Sequence, residues 1–125
     1  MKILIVDDSM AMRLIVKKTL RDAGYTGHEI VEASDGDEAL AKIDESRPDI
    51  ILSDWNMPNR TGPELLEQLN EWGDTPTFGF ITTEATPKMR AIADELGAKF
   101  LIAKPFTAEM LTRLVREILD DAPAE

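Results

Sequence analysis

The sequence predicts an α/β fold, a doubly wound parallel sheet of five strands with helices on both faces. Three observations predict it. Four short apolar runs are nearly continuous, as in parallel strands that are covered on both sides. Segments in which apolar residues recur with helical spacing lie between these runs. The 125 residues suit one hydrophobic core, and no linker or repeat interrupts them. We therefore expect a single domain over residues 1–125, with 122–125 as a frayed tail.

The strands are predicted from the apolar runs. The four strongest runs are Lys2–Val6, Ile50–Ser53, Thr77–Ile81 and Phe100–Ala103. A weaker run, Glu29–Ala33, holds only a few apolar residues among acids and is typical of an edge strand. Strands that alternate with crossover helices form a parallel sheet. The sequence therefore predicts a (βα)5 order.

Five amphipathic stripes predict the helices between and after the strands. The stripes are Met12, Ile15, Val16 and Leu20; Ala39, Leu40 and Ile43; Leu65, Leu66 and Leu69; Met89, Ile92, Ala93 and Leu96; and Met110, Leu111, Leu114, Val115 and Ile118. Asp35 and Thr107 are placed to cap two helix N-termini. Gly24, Gly73 and Gly97 follow helices, where a left-handed C-terminal cap favours glycine.

Composition excludes several classes of function. The chain has 24 Asp and Glu against 14 Lys and Arg, for a net charge of −10, which argues against binding DNA or an anionic membrane. It has no cysteine and one histidine, which excludes disulfides, thiolate catalysis, Cys-based zinc sites and multi-histidine metal sites. No apolar run approaches the roughly 20 residues of a membrane helix, and the first residues do not resemble a signal peptide. We expect a cytoplasmic protein.

Polar side chains follow four of the predicted strands. Asp7-Asp8, Asp54, Thr82-Thr83 and Lys104-Pro105 stand at these ends. Each has an ordinary alternative explanation: a turn or helix cap for the acids, loop hydrogen bonding for the threonine, a solvated surface cation for the lysine. In parallel sheets, however, ligands bind beyond the carboxyl ends of the strands. These ends should therefore bring three carboxylates, a hydroxyl and an ammonium into one cleft.

Such a cleft is chemically specific. Two carboxylates about 4 Å apart repel each other by about 4 kcal/mol at an effective dielectric near 20. Three hard oxygens suit a divalent cation such as Mg²⁺, which offsets that repulsion. Lys104 could neutralise the oxygens of an incoming phosphoryl group, and Thr82 could donate a hydrogen bond to another. Asp54 could then act as a metal ligand and as the nucleophile that forms an acyl phosphate.

The combination of motifs resembles the receiver domains of two-component response regulators, of the CheY-like kind, over nearly the whole chain. The motifs are Asp7-Asp8, Ser53–Pro58, Ile81–Ala85 and Lys104–Phe106. The resemblance implies a flavodoxin-like sheet with strand order 2-1-3-4-5 and Mg²⁺ as the cofactor. It implies that Asp54 accepts a phosphoryl group from the phosphohistidine of a histidine kinase.

The resemblance also implies roles for single residues. Asp8, Asp54 and the backbone carbonyl of Asn56 would bind the metal directly, and Asp7 through a water molecule. Thr82 and Lys104 would bind the phosphoryl group. The modulating positions it implies are Thr83, Glu84, Leu101 and Pro105, the last after a cis peptide bond. The side chains of Asn56 and Glu84 would flank the water path and tune self-dephosphorylation.

Two positions depart from the family pattern. Leu101 stands where CheY-like proteins usually place an aromatic ring that moves inward on phosphorylation. Phe100 is adjacent, but neighbouring residues of a strand point to opposite faces. Thr61 stands where the family often has aspartate, and it can still cap the third helix. Leucine has no hydroxyl and too little surface to act as the same aromatic latch.

The first helix carries a basic stripe. Arg13, Lys17 and Arg21 recur every four residues, with Lys18 alongside. One interpretation is an ordinary solvated face; the other, by resemblance, is a docking surface for a CheA-like histidine kinase near Arg13, Leu14, Lys17 and Lys18. We predict that Leu14 is exposed there. A downstream protein target would bind the face formed by helix 4, strand 5 and helix 5.

These features predict a stand-alone response regulator that switches a protein partner in a chemotaxis-type pathway. We expect it to have no output domain and to bind neither DNA nor a membrane. We do not expect an enzyme: the domain would assist only its own phosphotransfer and self-dephosphorylation.

The sequence leaves three alternatives to this prediction. Because of Leu101, one is a receiver that acts as a phosphate sink or in a non-motility chemosensory pathway. An aspartate-nucleophile phosphohydrolase would need an acid at Asn56 and a cap domain. A flavodoxin-type binder would need a phosphate loop where Asp7-Asp8 stand.

Overall fold

Strands and helices alternate along the residues that the computed structural model describes, which are 2–22, 28–104 and 106–121. The elements are β1 (Lys2–Val6), α1 (Met10–Asp22), β2 (Glu29–Ala33), α2 (Gly36–Glu45), β3 (Ile50–Ser53), α3 (Gly62–Trp72), β4 (Thr77–Thr82), α4 (Pro87–Leu96), β5 (Phe100–Ala103) and α5 (Ala108–Asp121). Within these ranges no helix combines the length and the apolar character that crossing a bilayer requires.

The strands form one parallel sheet in the order β2-β1-β3-β4-β5, which confirms the predicted fold class and strand order. The last residue of β1, Val6, lies beside Ala33 of β2 and Ser53 of β3. Ser53 pairs in turn with Phe80 of β4, near the end of that strand. The register therefore aligns the carboxyl ends of the strands at one rim, and β1 and β3 lie side by side at its centre.

Side chains of alternate strand residues form two hydrophobic cores, one on each face of the sheet. Leu4 and Val6 belong to the core that is covered by α2, α3 and α4. Ile3 and Ile5 belong to the core covered by α1 and α5. Because both faces of the strands are buried, their sequences are nearly continuous apolar runs.

The predicted helix boundaries agree with the structure. Asp35 accepts a hydrogen bond from the Glu38 amide and caps α2, and Thr107 accepts one from the Met110 amide and caps α5. Thr61 forms a capping box with Glu64, so the threonine keeps the cap of α3. Gly73 and Gly97 end α3 and α4 in the left-handed conformation. Gly24 and the tail 122–125 lie outside the described residues.

Two residues assigned to buried helix faces are exposed instead. Ile15 is 50% exposed, because α1 turns Val16 and Leu20 to the core and Ile15 lies about 100° around the helix from Val16. Met110 is 41% exposed, because its neighbour Leu111 takes the core position. In addition, β4 extends one residue beyond the predicted end, so Thr82 is the last strand residue rather than the first loop residue.

Phe100 and Leu101 point to opposite faces of β5, as predicted. Leu101 lies in the core under α2, α3 and α4, and Phe100 packs against the core under α1 and α5. The Phe100 ring lies over Gly79 of β4, where an added Cβ atom would come within 2.2 Å of the ring. The glycine therefore provides the space for this ring. Because the Phe100 ring lies on the opposite face of the sheet from Leu101, Phe100 does not substitute for an aromatic residue at position 101.

Candidate functional site

Three acidic side chains meet at the carboxyl rim of the sheet. Asp7, Asp8 and Asp54 each offer a carboxylate oxygen, and these oxygens all lie within 4.8 Å of one another. Asp7 is buried, Asp54 is half-buried and Asp8 is exposed to solvent. The cleft is therefore lined by carboxylates and open to water on the Asp8 side.

The main chain explains why these residues converge. The Asp7 amide donates to the Ala33 carbonyl at 3.1 Å, and the Asp54 amide donates to the Val6 carbonyl at 2.8 Å. Parallel pairing thus continues for one residue beyond β1 and β3. Asp7 and Asp54 therefore both lie at the carboxyl rim of the sheet, and the backbone of each is hydrogen-bonded to a neighbouring strand.

Lys104 lies between two of the carboxylates. Its Nζ atom is 2.9 Å from Oδ2 of Asp7 and 3.6 Å from Oδ1 of Asp54. The Lys104 amide donates to the Thr82 carbonyl, which fixes the start of the segment after β5. Three carboxylates and one ammonium, when all are ionised, leave two negative charges in excess. The site is therefore anionic even with its cation in place.

The surroundings of Asp54 oppose its ionisation. Burial raises the pKa of the Asp54 carboxyl above its ordinary value, and the charges of Asp7 and Asp8 add to that rise. The Lys104 charge and the Trp55 amide, which donates to Oδ1 at 2.8 Å, pull the pKa down but do not cancel the rise. Since the folded state binds the proton more readily, ionising Asp54 lowers the free energy of unfolding as pH rises through this pKa.

The loop after β3 is fixed tightly beneath Asp54. The Ser53 hydroxyl donates to the Asp54 carbonyl at 2.9 Å, and the Gly62 amide donates to the Trp55 carbonyl at 2.9 Å. A Cβ atom on Gly62 would come within 2.3 Å of the Asp54 carbonyl oxygen, so this close approach requires glycine. The Trp55 ring packs against Phe80 with centroids 4.8 Å apart. Asn56, two residues beyond Asp54, is exposed.

The hydroxyl predicted at this rim lies at the end of β4. Thr82 is fully buried, and its hydroxyl oxygen accepts a hydrogen bond from the Glu84 amide at 3.4 Å. Accepting that bond leaves the hydroxyl hydrogen available to an anionic oxygen. Thr83 and Glu84 are exposed on the following loop. Of these three residues, Thr82 therefore has a buried hydroxyl, and Thr83 and Glu84 have side chains that face solvent.

The positions expected to modulate the site have different surroundings. The Leu101 side chain is already buried, and its carbonyl accepts a hydrogen bond from Nη1 of Arg90 on α4 at 3.3 Å. Pro105, with the cis peptide bond expected before it, lies outside the described residues.

Two of the four residues of the basic stripe on α1 are engaged within the protein. Nε of Arg13 lies 3.1 Å from one carboxylate oxygen of Glu32 on β2, and Nζ of Lys17 lies 2.8 Å from the other. Lys18 and Arg21 are exposed. Leu14 is 61% exposed, as predicted. The exposed surface of α1 is therefore more apolar than the stripe of basic residues suggested.

Sequence reasoning missed two contacts of the site. The Nη1 atom of Arg13 donates to the Asp7 carbonyl at 2.6 Å, and Lys104 lies closer to Asp7 than to Asp54. The sequence contained one indication of the first contact. Glu32 is an acidic residue within a strand, and such a residue usually pairs with a cationic side chain. The second contact depends on side-chain directions that a sequence pattern does not specify.

The donor set of this cleft fits a hard divalent cation. Oxygen atoms of carboxylates, carbonyls and water are the ligands that Mg²⁺ prefers, and it usually takes only one or two carboxylates from the protein. The cluster offers three carboxylates, excess negative charge and access for water. Asp8 and Asp54, with the Asn56 carbonyl, could hold such an ion directly, and Asp7 could do so through water.

A family model and curated relatives match this chain over most of its length. The model for the response regulator receiver domain matches residues 3–116. The chemotaxis protein CheY of Pseudomonas aeruginosa is 37% identical over 123 residues, covering 96% of this chain and 97% of that protein. The chemotaxis protein CheY-3 of Vibrio cholerae is 39% identical over 123 residues, covering 96% of this chain and 92% of that protein.

Solved structures show the same architecture. The chemotaxis protein CheY4 of Vibrio cholerae superimposes with a TM-score of 0.83 at 37% identity, covering 94% of this chain and 97% of that one. A CheY-like response regulator receiver domain protein of Methanospirillum hungatei gives a TM-score of 0.85 at 30% identity, covering 96% and 94%. The similarity therefore extends over the whole sheet and its helices.

Proposed function

The chain belongs to the response regulator receiver domain family, and on that premise we propose that it is a chemotaxis-type response regulator that is phosphorylated on Asp54. The proposal rests above all on one observation: Asp54 lies with Asp7 and Asp8 in one cluster, and Lys104 lies against two of the three. The relatives that match over nearly their full length carry the name chemotaxis protein. That name supports the chemotaxis part of the proposal.

The reaction is the transfer of a phosphoryl group from a phosphohistidine of a histidine kinase. A carboxylate oxygen of Asp54 attacks phosphorus, so that an O–P bond forms while the N–P bond to the histidine breaks. The imidazole leaves with the electron pair of that bond, and the product is an aspartyl phosphate. A protonated Asp54 cannot attack, so the reaction needs the ionised carboxylate, whose charge Lys104 and a bound cation would offset.

Mg²⁺, when bound, would neutralise charge on the transferring phosphoryl oxygens. Asp8, Asp54 and the Asn56 carbonyl would hold it, and Asp7 would orient one of its water ligands. Lys104, whose Nζ atom lies 3.6 Å from Oδ1 of Asp54, supplies a second positive charge. Because Lys104 lies against both Asp7 and Asp54, a phosphoryl group on Asp54 would form within reach of its ammonium.

The switch couples the new charge to the surface of the protein. Thr82 would donate its hydroxyl hydrogen to a phosphoryl oxygen, and Lys104 would bind another. These movements pull on the ends of β4 and β5 and so alter the face formed by α4, β5 and α5, where a downstream protein would bind. Asn56, Thr83 and Glu84 are exposed beside the site and would govern access of the water that removes the phosphoryl group.

The kinase would dock on α1 beside the acid cluster. Leu14 and Lys18 are exposed there, and Met10 and Ile15 extend the apolar surface. Arg13 and Lys17 border this surface but hold Glu32, so they contribute less to docking than the sequence pattern suggested. The kinase surface would therefore need an apolar centre with acidic residues around it.

A receiver that acts as a phosphate sink, or in a non-motility chemosensory pathway, is the second candidate. Leu101 favours it, because this side chain is buried in the core and carries no aromatic ring that could move inward. A phosphate sink would carry the phosphoryl group on Asp54 but bind no partner more tightly for it, whereas a non-motility regulator would bind a partner outside motor control. The two candidates therefore differ in partner binding and not in chemistry.

Intact-mass measurement after incubation with acetyl phosphate tests the proposed reaction. We expect a gain of one phosphoryl group in the presence of Mg²⁺ and none when the metal is chelated. Addition of beryllofluoride, a phosphoryl mimic, should then increase capture of a flagellar motor component or another chemotaxis protein. A mass gain without any change in partner capture would favour the phosphate sink. No mass gain with Mg²⁺ present would contradict both candidates.

A further inference from the structure

We propose that Arg13 is a positioning residue that sets the direction of the Asp8 side chain and thereby the affinity of the acid cluster for Mg²⁺; this rests on the proposed function. The Arg13 side chain is only 12% exposed, although it lies on a surface helix. Its Nη1 atom donates to the Asp7 carbonyl at 2.6 Å, and its Nε atom donates to Glu32 at 3.1 Å. The Arg13 guanidinium thus connects the backbone of Asp7 to Glu32 on β2.

Glu32 gives Arg13 a fixed anchor. Its second carboxylate oxygen accepts a hydrogen bond from Lys17 at 2.8 Å, and its carbonyl accepts one from Lys42 on α2. The carboxylate is therefore held on both oxygens and its backbone is held as well. A planar guanidinium can bond to an anchor and to a carbonyl at fixed angles, whereas a lysine ammonium has no such fork.

The contact with the Asp7 carbonyl bears on Asp8 because both belong to one peptide unit. The planar peptide carries the Asp7 carbonyl together with the Asp8 amide and Cα atom, so fixing the carbonyl fixes the point from which the Asp8 side chain leaves the backbone. Within the described residues, the structure gives the exposed Asp8 carboxylate no hydrogen bond or ion pair. Its place in the cluster is therefore set by the backbone and not by side-chain partners.

Asp7 itself is held differently. Its carboxylate accepts hydrogen bonds from the Ser9 amide at 2.9 Å and from Lys104 at 2.9 Å. Loss of Arg13 would therefore free the peptide between Asp7 and Asp8 while leaving the Asp7 carboxylate bound. The Ser9 amide reaches that carboxylate across the freed peptide, so the expected defect is a misplaced Asp8 and a weaker hydrogen bond from the Ser9 amide to Asp7.

An effect of the Arg13 charge and an effect of its position predict opposite changes in Mg²⁺ affinity when Arg13 is removed. If only its positive charge mattered, Arg13→Ala would make the cleft more anionic and would bind Mg²⁺ more tightly. If it positions Asp8, the same substitution weakens binding. Loss of a residue that orients a metal ligand typically costs 10–100-fold in affinity, and we expect about tenfold here.

Lys17→Ala is the matched control. It removes the other cation on Glu32 and one charge from the same helix, but Lys17 makes no contact with the Asp7 carbonyl. Mg²⁺ is titrated against both variants and the parent, and binding is followed by Trp55 fluorescence in a Trp72→Phe background. We expect about tenfold weaker binding for Arg13→Ala and a change of less than about twofold for Lys17→Ala. An unchanged or tighter Arg13→Ala, or an equal loss in both variants, would overturn the proposal.

Amide hydrogen exchange in metal-free buffer gives a second readout that does not depend on the metal. We expect faster exchange at Ser9 in Arg13→Ala, with Leu52 in the sheet unchanged, and parent-like exchange in Lys17→Ala. Equal acceleration at Ser9 and Leu52 would show a general loss of stability and would contradict a positioning role. If the parent protein bound no Mg²⁺, the metal part of the proposed function would fail, and exchange at Ser9 would still decide whether Arg13 holds the peptide between Asp7 and Asp8.

Discussion

Asp54→Ala is expected to abolish phosphorylation of the protein by acetyl phosphate and by a phosphorylated histidine kinase. The substitution removes the nucleophilic oxygen, and Asp7, the other carboxylate against Lys104, is buried and already accepts hydrogen bonds from Ser9 and Lys104. The Asp54 backbone is held by Val6 and Ser53, so the loop should keep its course without the carboxylate. Intact-mass spectrometry of the treated protein measures the loss.

Asp44→Ala serves as the control for this experiment. Asp44 is an exposed carboxylate near the C-terminal end of α2, where the following Ser46 contacts Lys2 at the start of β1 and not the carboxyl rim, and its loss should leave the mass gain unchanged. A phosphoryl group retained by Asp54→Ala would mean that a different residue accepts it. That result would contradict the assignment of Asp54 as the phosphoacceptor.

Lys104→Ala is expected to slow phosphorylation by about 100- to 1000-fold, the effect of removing one group that stabilises developing charge in a transition state. The same substitution should not weaken Mg²⁺ binding, because it removes a cation from a cleft that already has excess negative charge. The variant should also be less stable in metal-free buffer, since buried Asp7 loses its ion pair. Phosphorylation rates at saturating Mg²⁺ measure the first effect.

Lys88→Ala, which removes an exposed lysine of α4, provides the comparison for Lys104→Ala. Its phosphorylation rate should equal that of the parent. A Lys104→Ala rate within about threefold of the parent, measured on a variant shown to be folded by circular dichroism, would exclude a role for this ammonium in charge stabilisation.

The fold and the convergence of the site could be predicted from the sequence because both depend on backbone order. Continuous apolar runs separated by amphipathic stripes define a parallel sheet, and a parallel sheet brings its carboxyl ends to one rim. The residues that follow β1 and β3 therefore had to meet. The acid cluster of Asp7, Asp8 and Asp54 is the direct consequence.

Details of side-chain direction could not be predicted in the same way. Ile15 and Val16 are both apolar neighbours on α1, and only the rotation of the helix on the sheet decides that Val16 is buried and Ile15 exposed. Arg13 belongs to a regular basic stripe, yet it turns inward because Glu32 projects from β2 toward α1. Charge patterns along one helix do not reveal partners on another element.

The central claim is that a divalent cation relieves repulsion among the clustered carboxylates, and chemical unfolding with and without Mg²⁺ tests it most directly. In metal-free buffer at neutral pH, Asp54→Asn should be more stable than the parent by about 1–2 kcal/mol, because it removes a carboxylate whose raised pKa reports an unfavourable environment for its charge. Mg²⁺ at ten times its dissociation constant should then stabilise the parent by about 1.4 kcal/mol and Asp54→Asn by less. Equal unfolding midpoints for the two proteins without metal, together with no response of the parent to Mg²⁺, would contradict the account.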